Sequence, residues 1–351
     1  MADDRPTVAL TMGDVAGIGP AVIARAWAGS RLLELARPFV VGDAGVLRRE
    51  VSRSGAKQEV RPIREPEEAA PGAGIIPCLE VPGVDVLGVP EGEVDPRAGR
   101  ASFAFLVRAI DLAMAGRVDA ITTLPINKFS LHEAGVPFPG HTEILADRCG
   151  ATRHAMMLYL PPGPEAPLGL GVVHATLHVA LREVFPLLTV DSVLEKILLT
   201  DEAMRPLVEG GSPRIGVAGL NPHAGEGGLF GDEERTIIGP AIARARAEGV
   251  RVEGPISADT LFSRALEGAF EAVVVMYHDQ GHVALKTIGF SRAVNVTLGL
   301  PIIRTSVAHG TAFDLVGRGE PSTSSLISAV SVAARLAIGK RARLREGRGE
   351  G

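Results

Sequence analysis

The stretch TVALTMGDVAGIGPAVIARAW, residues 7–27, decides the reading of the fold. Residues 7–12 are almost wholly apolar or β-branched, the composition of a strand buried on both faces. A glycine-rich turn follows at 13–20, and 21–27 reads as a helix whose first turn accepts Pro20. Outward from there, 37–41 predicts a second strand ending at Gly42-Asp43, with a helix over 46–52. Strand, helix and strand in that order predict a parallel sheet with helical crossovers. The turn itself leaves two readings open. Its amides could face an anion at a helix start, or it is a tight structural turn. Its spacing matches neither the dinucleotide fingerprint nor the phosphate loop that ends in Gly-Lys-Ser/Thr.

Residues 53–98 are rich in Pro, Gly and Glu and predict irregular surface structure around one strand at 75–79. A helix is expected over 99–115, with Phe103, Leu106, Ile110 and Met114 on one buried face. A strand at 118–122 leads into Thr122-Thr123-Leu124-Pro125-Ile126-Asn127-Lys128, where the chain is expected to cross into a second lobe. Further strands are predicted at 155–160, 168–173, 214–218, 272–277 and 293–297, and helices at 190–200, 233–248, 258–267 and 324–338. Residues 341–351 form a charged tail expected to fray. The expected fold class is α/β. It has two α/β lobes with a central cleft: residues 1–127 plus 305–351 in the first, 128–304 in the second.

Composition narrows the function. A formal net charge of −5 is mild for 351 residues and argues against nucleic acid or an anionic membrane as the main partner. Aromatic residues make up 4%, leaving few stacking platforms for single strands. No apolar run reaches the roughly 20 residues a membrane span needs, and residues 1–6 lack a signal-peptide pattern. A cytoplasmic location is therefore expected. Cys78 and Cys149 are too few for a disulfide framework and read as inert thiols.

The chemistry-bearing residues gather in glycine- and proline-rich runs. His223 lies in NPHAGEGG (221–228) and His278 in YHDQGH (277–282). Imidazoles on stiff turns with carboxylates beside them suit a divalent metal. Zinc fits three histidines with an open position, and oxygen neighbours would equally suit manganese, magnesium or cobalt. His178, just past an apolar strand, reads either as an ordinary histidine or as a group collected at a strand end. In PGHTE (139–143), His141 or Thr142 reads as a helix cap or as a ligand contact. Lys286, Asn295 and Arg304 would bind a phosphate or carboxylate if they are buried, and are surface groups otherwise.

These runs, with TMGDVAGIGP (11–20), TTLPINK (122–128), ADTLF (258–262) and NVTLGLPIIRTSVAHGTA (295–312), resemble the 4-hydroxythreonine-4-phosphate dehydrogenase family of pyridoxal phosphate biosynthesis, in the isocitrate and isopropylmalate dehydrogenase superfamily. The resemblance implies His178, His223 and His278 as metal ligands. It implies His141, Thr142, Lys286, Asn295 and Arg304 as contacts to a small phosphorylated hydroxy-acid substrate, and Asp259 and Lys286 as proton-transfer groups. It also implies NAD or NADP as cofactor, and a homodimer with shared active sites. The reaction implied is oxidation with decarboxylation of 4-hydroxythreonine 4-phosphate to 3-amino-2-oxopropyl phosphate. Val15, Ala21 and His282 depart from the family's usual residues, and none of them is an implied ligand. The TMGD opening and GGLFG (227–231) are similar to a sibling group acting on threonate or erythronate 4-phosphate. Two other classes stay open on residues alone. Three histidines around a metal could serve a hydrolase, and the fold could serve a binding protein without turnover.

Overall fold

The computed structural model describes residues 4–289 and 292–346. Twelve strands occur among them: β1 (Thr7–Thr11), β2 (Arg37–Gly42), β3 (Glu59–Ile63), β4 (Ile75–Glu80), β5 (Ala120–Thr123), β6 (Ala155–Leu160), β7 (Leu170–His174), β8 (Ile215–Ala218), β9 (Val252–Ile256), β10 (Ala272–Val275), β11 (Val294–Leu298) and β12 (Arg304–Val307). The α-helices among these residues are α1 (Gly19–Ala28), α2 (Arg31–Leu35), α3 (Ala44–Arg53), α4 (Pro96–Met114), α5 (Lys128–Glu133), α6 (His141–Cys149), α7 (Leu181–Leu187), α8 (Val190–Met204), α9 (Gly239–Ala247), α10 (Ala258–Leu266), α11 (His278–Gly289) and α12 (Ser324–Glu346). The chain divides into two compact units. Unit 1 comprises residues up to Thr152 and from Leu300 onward, and unit 2 is Arg153–Gly299. The expected boundaries at 127/128 and 304/305 both fall inside unit 1, because α5 and α6 pack on α4 and β12, which begins at Arg304, pairs with β5.

Unit 1 orders its strands β3-β4-β2-β1-β5-β12, and every pairing is parallel. This is the crossover sheet that residues 7–52 predict. Its centre is apolar on both faces, with Val8, Leu10, Phe39 and Ile121 fully buried. Helix starts are capped as the sequence allows. Asp43 Oδ1 accepts from Val46 N at 2.8 Å, and Asp95 accepts from Arg97 N ahead of Pro96 at the start of α4. The buried face of α4 differs from expectation. Phe105, Leu106, Ala109 and Ile110 are buried, whereas Met114 is 48% exposed.

Unit 2 orders its strands β11-β6-β7-β10-β8-β9. The run β7-β10-β8-β9 is parallel, but β6 is antiparallel to both β7 and β11. The link from β6 to β7 is too short for a crossover, so those strands must reverse. β3 and β9 escape the sequence reading because they are edge strands. Each carries a proline, Pro62 and Pro255, which a sheet edge tolerates. β12 escapes because its Arg-Thr-Ser-Val sequence is polar. Its hydroxyls are buried but paired, Thr305 with Thr122 at 2.9 Å and Ser306 with the carbonyl of Thr123 at 3.1 Å. α12 runs to Glu346, so the charged segment from Arg341 is helical as far as 346, and 347–351 lie outside the described residues. Among the described residues no helix is long and apolar enough to cross a membrane.

Candidate active site

In unit 1 the glycine-rich turn after β1 is tied down largely by bonds within the protein. The amides of Asp14, Ala16, Gly17 and Ile18 are all bonded within the protein, to Pro125 O, Asp14 Oδ1, Asp14 O and Thr311 O. Those four amides are therefore turned into the protein and do not face an anion. Gly13 is required there, at φ +73°, where a Cβ would stand 2.3 Å from Pro125 O. Asp14 itself is fully buried, and its Oδ2 has no hydrogen-bond partner among the described residues. Burial outweighs the Ala16 amide and raises its carboxyl to about 6.

The buried cation of unit 1 lies at the start of β12. Arg304 is 2% exposed, and its Nε and Nη2 donate to Thr123 Oγ1 at 3.2 and 2.7 Å. Burial pushes its guanidinium down to about 9, so it remains a cation at neutral pH. His141 opens α6, and its buried Nε2 has no hydrogen-bond partner among the described residues. Burial holds its pKa well below the ordinary value, and the charge of Arg304 adds to the effect. A neutral imidazole beside a buried guanidinium offers one N–H and a planar fork, the donors a phosphate or carboxylate takes. The capping reading of His141 and Thr142 is not borne out. Gly140 is the cap, without a side-chain bond, because the two residues already lie inside the helix's first turn.

In unit 2, three of the predicted residues follow three neighbouring parallel strands at their carboxyl ends. His178 comes after β7, His223 after β8 and His278 after β10, the edge at which parallel sheets gather ligands. Polar bonds tie these loops together. Thr176 Oγ1 donates to Met276 O at 2.8 Å, and Gln280 bridges Met276 N at 2.7 Å and Gly219 O at 2.8 Å. His178 and His278 approach with ring centroids 5.8 Å apart. His278 begins helix α11 rather than sitting in a turn as expected.

His278 Nδ1 lies 2.6 Å from Asp279 Oδ1, and His223 Nδ1 lies 3.1 Å from Glu226 Oε2. A carboxylate only accepts, so in the neutral ring each Nδ1 carries the proton, which leaves Nε2 its lone pair. That arrangement is the one metal-binding imidazoles use, and it fits a divalent ion. Among the described residues, however, no three His, Cys, Asp or Glu side chains converge into a ready cage.

Two histidines outside the implied ligand set complete the cluster. His174, the last residue of β7, and His282 on α11 are both buried, and Nε2 of the first meets Nδ1 of the second at 3.0 Å. His282 stacks on His278 with centroids 3.8 Å apart and planes 10° from parallel. Burial lowers His174 to about 3 and His282 to about 4, with neighbouring imidazoles adding, so both are neutral. His278, His282 and Lys286 follow one another at i, i+4 and i+8 along one helix face. That spacing was visible in the sequence and would have found His282. Lys286 and Asp259 are exposed, the latter in the first turn of α10. Asn295 on β11 is half-buried, donates to Met156 Sδ at 3.3 Å, and has a buried Oδ1 without a hydrogen-bond partner among the described residues.

Unit 1 thus carries a buried guanidinium beside a neutral imidazole and unit 2 an imidazole cluster at strand ends, groups that an α/β enzyme could turn on an anionic substrate. Comparison with known proteins narrows this class to dehydrogenases. The profile of the family described as "Pyridoxal phosphate biosynthetic protein PdxA" matches residues 34–333, and the chain belongs to that family. It is 46% identical to a 4-hydroxythreonine-4-phosphate dehydrogenase of Desulfosudis oleivorans, over 96% of this chain and 98% of that one. It is 43% identical to a D-threonate 4-phosphate dehydrogenase of Cupriavidus necator, over 96% and 99%. The crystal structure of a 4-hydroxythreonine-4-phosphate dehydrogenase from Klebsiella pneumoniae superposes with a TM-score of 0.84 at 42% identity, covering 96% of this chain and 99% of that chain.

Proposed function

We propose that this protein is an NAD(P)-dependent, metal-dependent dehydrogenase that oxidises and decarboxylates 4-hydroxythreonine 4-phosphate to 3-amino-2-oxopropyl phosphate. The observation that carries the reading is the pair His223 and His278 at neighbouring strand ends, each with its Nδ1 proton committed to a carboxylate. With His178 they would hold the divalent ion, whether zinc, magnesium, manganese or cobalt. Bound there, the ion would supply the Lewis acidity that eases loss of a hydroxyl proton and of carbon dioxide.

The chain's own groups supply the rest. Arg304, with neutral His141 and Thr142, would bind the substrate phosphate, and Asn295 and Lys286 would hold its other polar groups. Lys286 or Asp259 would take the hydroxyl proton while hydride passes to the nicotinamide, and would return a proton to carbon after carbon dioxide leaves. We place the enzyme in the cytoplasm as a homodimer with shared active sites.

A second reading has its own support. The 43% identical relative from Cupriavidus necator is named for D-threonate 4-phosphate. The test is NADH or NADPH formation by absorbance, with ion-reconstituted protein offered 4-hydroxythreonine 4-phosphate, D-threonate 4-phosphate and D-erythronate 4-phosphate separately. Turnover of the amino-acid phosphate alone supports the first reading, and turnover of the sugar-acid phosphates alone supports the second. No reduced nicotinamide with any of the three overturns both and returns the hydrolase and binding readings.

A further inference from the structure

Residues 223–227 all adopt left-handed backbone, with φ of 53°, 52°, 80°, 44° and 69° in order. Three of the five are His223, Ala224 and Glu226, which carry a Cβ and for which this conformation is disfavoured. Such a turn persists only where its surroundings over-determine it. The surroundings converge on one side chain. Glu234 is 6% exposed, yet no Arg or Lys is paired with it among the described ion pairs. Its Oε1 accepts from Leu220 N and Asn221 N at 2.7 Å each, and its Oε2 accepts from Asn221 Nδ2 at 3.0 Å.

The fit around this carboxylate is close. A Cβ on Gly225 would stand 2.7 Å from Glu234 Oε2, and one on Gly219 would stand 2.8 Å from Ala224 Cα. Glu234 also opens a π-helical turn, Glu234–Ile238, ahead of α9. π-Turns of this kind concentrate at functional sites. Glu233 joins from the preceding residue, accepting from Asn221 Nδ2 at 2.6 Å.

We propose that Glu234 is the positioning residue for His223, holding the left-handed turn that presents its imidazole. Three charge-assisted bonds to the segment leading into the turn replace the intrahelical bonds an ordinary turn would have. The functional half of the proposal rests on His223 being an ion ligand. The anchoring half does not.

The experiment compares wild type with Glu234→Ala, Glu234→Gln, His223→Ala and Ile197→Ala, the last a fully buried residue on α8 that controls for general loss of stability. Two readouts are taken: amide hydrogen exchange over 219–231, and Co²⁺ affinity by calorimetry with the visible absorption of the bound ion. Glu234→Ala should speed exchange in that segment and weaken Co²⁺ binding about 10–100-fold, the usual loss for a group behind a ligand. Glu234→Gln, which keeps one acceptor oxygen, should recover part of both, and Ile197→Ala should leave Co²⁺ affinity unchanged. Unchanged exchange in Glu234→Ala overturns the anchor. Unchanged affinity in Glu234→Ala, with affinity lost in His223→Ala, overturns the positioning role. Unchanged affinity in His223→Ala as well overturns the ligand reading and with it the functional half, while the exchange data still decide the anchor.

Discussion

The two units prepare their polar groups in opposite ways. Unit 1 buries a cation, Arg304, within an all-parallel sheet and supports it on the hydroxyl of a neighbouring strand. Unit 2 leaves its chemistry in reach of solvent, with the His223 side chain 64% exposed and that of His278 36%, and buries the groups that hold them. His282, His174 and Glu234 lie behind the exposed imidazoles. A site for a fixed charge can be built once into a core. A site for lone pairs must stay open at the front and is stiffened from behind.

The largest effect that would break this comparison is at Arg304. Arg304→Met should lower kcat/KM by about 2–5 kcal/mol in transition-state binding. Thermal unfolding should show stability unchanged or raised, since a buried cation opposes folding. Loss of stability together with activity would mean that the guanidinium is a structural strut. Next come the glycines. Gly13→Ala forces a Cβ to 2.3 Å from Pro125 O at φ +73° and should destabilise by more than about 2 kcal/mol. Gly227→Ala, at φ +69° with nothing within 4 Å, should lose only about 1 kcal/mol in the same denaturant titration. Third, His282→Leu removes the ring stacked on His278 and should weaken Co²⁺ binding about tenfold, whereas His282→Phe should retain most of the affinity. Equal losses in both variants would assign the effect to the bond with His174 instead.

The response to pH is the most diagnostic of the contrast, because the 12–20 turn of unit 1 and the imidazole cluster of unit 2 should move in opposite directions. Asp14 has its folded pKa raised from 3.8 to about 6. Its contribution is therefore present below about pH 4 and is lost as pH rises through 6. His174 and His282 are lowered from 6.5 to about 3 and about 4. Their contribution is present above pH 6.5 and is lost as pH falls below it. Hydrogen exchange at pH 5 and pH 8 should loosen unit 2 at the lower value and the 12–20 turn of unit 1 at the higher. Asp14→Asn should remove the second effect and leave the first.

Much of this organisation is legible in the residues. Buried central strands such as β1, β2, β8 and β10 announce themselves as apolar runs, because nothing polar fits between two covered faces. The edges β3 and β9 and the polar strand β12 do not, since their burial depends on partners distant in sequence. At the site, His223 and His278 stand out by their company of Gly, Pro and acidic residues and His178 only by the family resemblance, but what holds them does not show. Gly281 illustrates the reason. It looks like a turn former, yet it lies inside α11, where a Cβ would stand 2.6 Å from His174 Nε2. That glycine records a close approach between a helix and a strand more than a hundred residues earlier, a fact about tertiary space that no local pattern carries. Glu234 is hidden in the same way, as one acidic residue among several until its three donors are seen.

The split make-up of unit 1 has a consequence for how the chain is made. Unit 2 is one continuous segment, whereas unit 1 receives β12 and α12 only from the end of the chain. During synthesis, therefore, unit 2 has its whole sequence available while β5 still lacks the strand that carries Arg304. Domains fold as units as they emerge from the ribosome, and pairing distant segments is the slow step. The Arg304 corner is thus assembled after the imidazole cluster, and a chain released early would have its imidazoles but not its arginine.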